Sequence, residues 1–440
     1  VNQHLPAVTR DAWQRLRFFT LIQSRHGSRR RGSPAAAAAG DCQRQLDARR
    51  LSITLDVPRE DRTTKNNAIG KNAMELGYFA MPSHPPERDL KEGFEFDLQV
   101  IKWLDQLGYT EAWIGEHHTA PWEPHPAPDL LVSAGFRETK NIRLGPGGFL
   151  LPYHHPAELA NRIALLDHIS DGRLNFGVAA SGLPSDWAMF NVDGMSGMNR
   201  AMTREALDII LKMWESDEPF EYAGYYWTVR NPEEMYGFLR PHLKPKQAPH
   251  PPIGVAGLSK GSDTLKLAGE KGYLPMSLNL NPAYVSSHWE AVQIGAAKAG
   301  RVPDRRDWRL VREVFVADTD EEAWKLSVDS HMGRMMGEYF LPLLENFGFL
   351  EFLKHEPDVP DSDVTPAYCA KHNWIIGSPD TVAEKIAKVY DDCGGFGQLL
   401  VFGFDYVENP EAWRNSLELL SKEVLPKVAH LTPGMRTAAE

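Results

Sequence analysis

Trp113-Ile114-Gly115-Glu116-His117-His118-Thr119-Ala120-Pro121-Trp122 decides the fold of this chain. The apolar run at 110–114 reads as a strand, stops at a glycine and is followed at once by two histidines. In a β/α barrel the loops after the strands' C-terminal ends carry the polar chemistry, and that is the position these histidines take. An imidazole titrates near neutrality, so it can serve there as acid, base or hydrogen-bond donor. Neighbouring residues point different ways, so at most one of the two is expected to face the barrel mouth. On these residues alone three readings stay open: a catalytic histidine, two loop histidines packed against Trp113 and Trp122, and a metal site. The other candidate ligands, His154, His155 and Asp167, form no HExxH pattern, so no metal is expected.

Outward from this stretch, strand-like runs alternate with helix-length amphipathic segments, the signature of repeated β/α units. Strands are expected at 75–80, 110–114, 142–151, 174–178, 253–256, 273–276, 309–317 and 399–402. Helices are expected at 93–107, 129–137, 156–169, 202–214, 262–271, 283–299, 381–391 and 411–428. Eight strand-helix pairs are what a (β/α)8 TIM barrel requires. Two insertions interrupt the alternation. Residues 217–250 hold Phe220-Glu221-Tyr222 and Tyr225-Tyr226-Trp227 about Gly224, an excursion hairpin followed by a proline-dense loop. Residues 320–372 begin helical and turn acidic and proline-bearing, as a lid would.

The barrel is expected over 74–440, and residues 1–73 are expected to be a disordered extension. That extension has Arg29-Arg30-Arg31, an alanine tract at 35–39 and no sustained apolar periodicity. Because Val1 opens the chain and Met74 stands just ahead of the first strand, an over-extended reading frame is the expected origin of the segment. The formal net charge of −11, without a basic stripe beyond the first residues, argues against nucleic acid or an anionic membrane as partner. No apolar run reaches the length of a transmembrane helix. Cys42, Cys369 and Cys393 share no zinc or redox spacing, which points to a reducing, cytoplasmic setting.

A second constellation, Val255-Ala256-Gly257-Leu258-Ser259-Lys260-Gly261-Ser262-Asp263-Thr264, joins strand five to its helix. Small residues let a ligand approach the backbone, and free amides with hydroxyls at a helix start make an anion cradle suited to phosphate. Taken alone, these residues favour an ordinary helix cap at Ser262 over the cradle.

Taken in order, several segments resemble the bacterial luciferase-like family of flavin-dependent monooxygenases over about 75–428. They are Glu116-His117-His118, Leu151-Pro152-Tyr153-His154-His155-Pro156, the run from Leu165 to Leu174 through Asp171-Gly172-Arg173, the strand-five cradle, the run from Val316 to Ala323, and the run from Gly377 to Ala383. The resemblance implies a barrel that binds reduced FMN, with FAD also admissible. Its phosphate would lie on the loop of Ala256, Gly257, Ser259, Gly261 and Ser262, and its ring across the mouth above Ala179. His117 matches the catalytic histidine. The flavin would arrive from a separate NAD(P)H-dependent flavin reductase and react with O2, and one oxygen atom would pass to substrate.

The luciferase α chain carries a Cys-Arg pair at the end of strand four, where this chain has Ala179-Ala180, so aldehyde light emission is not expected. The opening at 79–86 and Asn279-Leu280-Asn281 resemble the limonene monooxygenase branch. That likeness implies a small hydrophobic, terpene-like substrate and makes Phe79, Met81, Trp122, Trp187 and Met189 candidates for its pocket. A deazaflavin-dependent hydride transfer on the same fold and a non-catalytic flavin-binding protein stay open beside it. A homo-oligomer paired through outer helices is expected by fold analogy.

Overall fold

The computed structural model describes residues 73–278 and 280–433. Residues 1–72 of the expected extension, with Cys42, lie outside the described residues, as does Asn279. Nine strands form one parallel sheet. In chain order its members begin with β1 (Glu75–Ala80), β2 (Glu111–Ile114), β3 (Arg143–Pro146), β4 (Phe149–Leu150) and β5 (Phe176–Ala179). A two-stranded antiparallel hairpin, β6 (Phe220–Ala223) and β7 (Thr228–Asn231), stands apart in the first insertion, where an excursion hairpin was expected. The large sheet then continues with β8 (Ile253–Gly257), β9 (Leu274–Ser277) and β10 (Arg309–Arg312).

Past β10 the chain forms β11 (Val314–Val316), which pairs with β12 (Ile375–Gly377), and the sheet closes with β13 (Gln398–Phe402). The strand order is β3-β2-β1-β13-β10-β9-β8-β5-β4. Its two edge strands, β3 and β4, are halves of the one run expected as strand three, so the sheet ends meet through the chain and eight positions make the barrel. A bridge from Leu144 to Leu174 completes the seam.

That split has a steric cause. A Cβ on Gly148 would stand 2.5 Å from the Gly177 carbonyl carbon, and one on Gly145 would stand 2.3 Å from the Asn175 carbonyl oxygen. The two backbones thus approach too closely for side chains, and the strand bends there instead of running through. The expected strand 309–317 divides as well: β10 stays in the barrel, and β11 leaves it to join β12, a strand the alternation did not show.

Helices cover the barrel's outer face. The first, α1 (Leu90–Leu107), starts three residues before the expected 93 because the Asp89 carboxylate caps it, accepting from the Lys91 and Glu92 amides. Gly108, at φ 83°, ends it in the left-handed conformation. Then follow α2 (Pro128–Glu138), α3 (Pro156–Ile169), an unexpected short helix α4 (Pro184–Phe190), and α5 (Met198–Glu215). Later come α6 (Asp263–Lys271) after β8 and α7 (Pro282–Lys298) after β9. The second insertion holds α8 (Asp320–Ser327), α9 (His331–Met335), a π-helical turn at Met336–Phe340, and α10 (Leu341–Asn346).

The loops after β1 and β13 are locked together at the mouth. His84 reaches Asp405 Oδ2 through Nδ1 at 2.7 Å and Asp97 Oδ2 through Nε2 at 3.1 Å, while the Arg88 guanidinium donates to both Asp405 oxygens. Burial pushes the His84 imidazole down, but Asp97 and Asp405 outweigh it and raise its pKa to about 9. A group whose folded pKa exceeds its unfolded value stabilises fully below the unfolded value and loses that contribution as pH rises through the folded one. The stability gap between the wild type and His84→Gln, from urea midpoints, is therefore expected to be widest near pH 6 and to narrow through pH 9. A gap independent of pH would remove the charged His84 from this account.

Candidate active site

Glu116, 1% exposed, is the hinge of the site. It follows β2 directly and its carboxylate collects three donors. His118 Nε2 lies 2.9 Å from Oε1, His154 Nε2 lies 2.9 Å from the same oxygen, and the Leu150 amide donates to Oε2 at 3.1 Å. Arg162 donates to His154 Nδ1 at 3.2 Å, which leaves the His154 proton on Nε2, facing Glu116. Burial pushes the Glu116 carboxyl up, but the two histidines and the amide hold it below the usual carboxylate range. Strand three's second half is thereby tied to strand two's loop.

His118 is packed from the side. Its ring meets Phe190 at 4.7 Å and Tyr153 at 5.5 Å, and those two rings stack on each other at 4.2 Å. The Tyr153 hydroxyl donates to Ser181 Oγ at 2.7 Å, and Asn199 Nδ2 donates to the Ser181 carbonyl at 3.1 Å. Ser181 has φ 68°, a left-handed backbone rare for serine that these contacts hold in place just past β5.

His117 stands between two carboxylates. Nδ1 is 3.5 Å from Asp186 Oδ2 and Nε2 is 3.4 Å from Glu123 Oε2. Asp186 comes from α4 and is fully buried, accepting from the Thr119 hydroxyl and, at 3.4 Å, the His118 amide. Glu123 is also buried and accepts from the Tyr339 hydroxyl at 2.7 Å. Burial pushes the His117 imidazole down, yet Glu123, Asp186 and Glu116 together turn its pKa upward. An opposite charge within a few ångströms favours the charged form, so His117 keeps its proton at higher pH than a free imidazole. The Glu123 carboxyl is also shifted upward: burial raises it, and His117 and Tyr339 only partly offset this.

The strand-five loop runs from β8 into α6. Ser262 is buried and caps the helix, its Oγ accepting from the Leu265 amide at 3.4 Å, so the helix-cap reading is realised. The cap leaves the rest of the helix start bare. Among the described residues the amides of Gly261, Ser262, Asp263 and Thr264 have no protein acceptor. Gly261, at φ 63°, has open space where a side chain would go, and Ser259 is exposed. Lys260's amide donates to the Tyr284 hydroxyl, which pins the loop from α7. Buried His288 of α7 shares a hydrogen bond with Ser277 through Nδ1, and the Leu258 and Ser259 backbone also bonds to its ring. The Ser262 and Thr264 hydroxyls bond to each other and Thr264 Oγ1 donates to the Ala256 carbonyl, so the free amides and the exposed Ser259 are what suit an anion, and that donor set fits a phosphate.

The other sequence-derived positions fall in three settings. Ala179 ends β5, half-buried, with Gly182 beyond it opening on empty space. Met81 covers Gly115, and Trp122 is buried and stacks under Tyr339 at 6.2 Å. Trp187 packs on Gly194. Phe79 is buried inside the barrel against Phe402, with ring centroids 6.3 Å apart, and Met189 is 64% exposed on α4. The last two are therefore core and solvent-facing here. Cys369 and Cys393 are buried and unpaired, and burial pushes both thiols up to about 12.

A parallel β/α barrel with a charge-clamped histidine after its second strand and a bare helix start after its fifth is laid out to hold a phosphate-bearing cofactor across its mouth. The chain belongs to the luciferase-like monooxygenase family, whose profile matches residues 74–395. It is 34% identical over 373 residues to the 3,6-diketocamphane 1,6-monooxygenase of Pseudomonas putida, an alignment covering 81% of this chain and 98% of that one. It is 30% identical over 361 residues to the limonene 1,2-monooxygenase of Rhodococcus erythropolis, covering 80% and 86%. Among solved structures it matches the oxygenating constituent of 3,6-diketocamphane monooxygenase from the Pseudomonas putida CAM plasmid, a type II Baeyer-Villiger monooxygenase in complex with FMN. That match has a TM-score of 0.77 at 34% identity and covers 81% of this chain and 99% of the other. Of the three readings left open by the sequence, oxygen insertion is the one these relatives bear out.

Proposed function

We propose that the chain is the oxygenating component of a two-component system. It takes reduced FMN from a separate NAD(P)H-dependent flavin reductase and inserts one atom of O2 into a small hydrophobic, terpene-like substrate or its ketone. The observation that carries this reading is one barrel mouth with both a histidine clamped between two carboxylates and a helix start with free amides, in a chain that superposes on an FMN-bearing oxygenase.

The residues fit the cofactor. The amides of 261–264, Ser262's among them, with the Ser259 hydroxyl, would hold the phosphate, and the small Ala256 and Gly257 let it approach. Ala179 and Gly182 leave room for the ring. When bound, reduced flavin supplies the two electrons that divide O2 between the product and water. His117 holds the acid proton that this chemistry consumes. Glu116 fixes the backbone on which His117 rides. Trp122, capped by Tyr339, keeps water from that face.

Among the described residues no helix is long and apolar enough to cross a membrane. The reading includes a cytoplasmic location and a homo-oligomer, for which Leu130 on α2 and Leu165 and Ile169 on α3, all exposed, offer an apolar outer face. The test is oxygen uptake with a bicyclic monoterpene ketone or limonene. Uptake and an oxygenated product are expected only when flavin reductase, NADH and FMN are all present. Failure of the protein to bind FMN, or product formation without the reductase system, would overturn the reading.

A further inference from the structure

The groups around His117 come from separate parts of the chain, and one belongs to the second insertion. Tyr339 lies in the π-helical turn at Met336–Phe340, a geometry that recurs at functional sites. Its hydroxyl donates to Glu123 Oε2 at 2.7 Å, the same oxygen that stands 3.4 Å from His117 Nε2. Its ring stacks on Trp122, the residue before Glu123, with planes 15° apart. Arg334, one turn earlier, lies over the same indole at 5.4 Å and is paired to Glu87 at 2.7 Å in the loop after β1. The insertion's far end is pinned too: the Asn281 amide donates to the Phe352 carbonyl, and Asn373 Nδ2 donates to the Leu353 carbonyl. Tyr339 is thus seated on the mouth from both sides.

We propose that Glu123 and Tyr339 are positioning residues that hold the proton on His117, so that seating of the insertion on the barrel mouth arms the catalytic histidine. The groups facing His117 are Glu123 from its own loop, Asp186 from α4, Glu116 behind it, and, through Glu123, Tyr339 of the insertion. His118 and Tyr153 lie beyond, the first turned to Glu116 and the second to Ser181. Asp186 has its own donors in Thr119 and the His118 amide, and with His117 they keep it below the usual carboxylate range.

Glu123 is differently placed. Burial raises it, and the Tyr339 hydroxyl is the donor that stabilises its charged form apart from His117 itself. With Tyr339 withdrawn, the balance shifts toward transfer of the proton from His117 Nε2 to Glu123 Oε2, leaving a neutral imidazole and a neutral carboxyl. No charge leaves the pair and no other reactant is needed. An unseated insertion therefore disarms the acid while the mouth is open to water.

This inference rests on reading His117 as the acid of the oxygenase, and its test uses the flavin-free protein so that the two can fail separately. The His117 ring nitrogens are titrated by NMR in 15N-labelled wild type, Glu123→Gln and Tyr339→Phe. Glu123→Gln keeps the side chain's shape, and Tyr339→Phe keeps the ring on Trp122. The midpoint is expected to fall by about one unit or more in Glu123→Gln and by roughly half as much in Tyr339→Phe. An unchanged midpoint in Glu123→Gln overturns the proposal, and an unchanged midpoint in Tyr339→Phe alone overturns the part given to the insertion. If the midpoints shift as expected while the wild type inserts no oxygen, the coupling stands and the functional reading falls.

Discussion

Alanine at position 117 is expected to lower kcat/KM for oxygen insertion by about a hundred- to ten-thousand-fold, the range a positioned proton donor contributes. At 1.36 kcal/mol per decade this is about 3–5 kcal/mol of transition-state stabilisation. FMN affinity is expected to change little, because the loop at 256–264 joins β8 to α6, whereas His117 lies in the loop after β2. The competing description of His117 is a packed loop residue, and it predicts another outcome. Losing a merely packed imidazole would lower the unfolding midpoint and leave turnover per folded molecule intact. In the structure the ring is held by charge, not by stacking, with Glu123 at 3.4 Å and Asp186 at 3.5 Å. Removing it leaves two buried carboxylates facing one another, so some loss of stability accompanies the loss of rate. The two effects separate when kcat is measured on the folded fraction fixed by circular dichroism. Unchanged turnover in that fraction would end the acid role assigned to His117.

Much of this site was legible in the sequence because its parts are local. Strand two ends at Gly115, which alone places His117 and His118 at the mouth, and the alternation of their side chains separates the charge-clamped ring from the one packed on Phe190 and Tyr153. The strand-five cradle is one contiguous run. What the sequence hid is long-range. Glu123 and Tyr339 are 216 residues apart, and no periodicity in either segment relates them. Asp186 sits in a seven-residue helix that the β/α alternation does not require. The break in strand three follows from backbones meeting at Gly148 and Gly177, a contact between neighbouring strands that a run of apolar residues does not announce. Phe79 and Met189 show the same limit from the other side. Apolar type alone suggests a pocket for both, whereas one packs on Phe402 inside the barrel and the other stands in solvent.

Glu116→Ala is expected to be the most destabilising substitution at the site, at about 3–5 kcal/mol, the range for removing one partner from a buried charged cluster. Three donors converge on this carboxylate, and His118 Nε2, His154 Nε2 and the Leu150 amide would all lose their acceptor in a place closed to water. None has a ready substitute. His154 is fixed from behind by Arg162, His118 is wedged between Phe190 and Tyr153, and the Leu150 amide belongs to β4 at the barrel's seam. Glu116→Gln keeps one acceptor oxygen but presents an NH2 to a histidine N–H, so its cost is expected to lie between wild type and alanine. The pH dependence carries a sign. The Glu116 carboxyl is held below its unfolded pKa, so its contribution is full above the unfolded value and is lost as pH falls through the folded one. Urea midpoints for the three proteins should therefore differ most near neutrality and converge under acid. An alanine variant within about 0.5 kcal/mol of wild type at pH 7 would mean that the three donors find other partners. In that case Glu116 would not be what joins strands two and three beside His117.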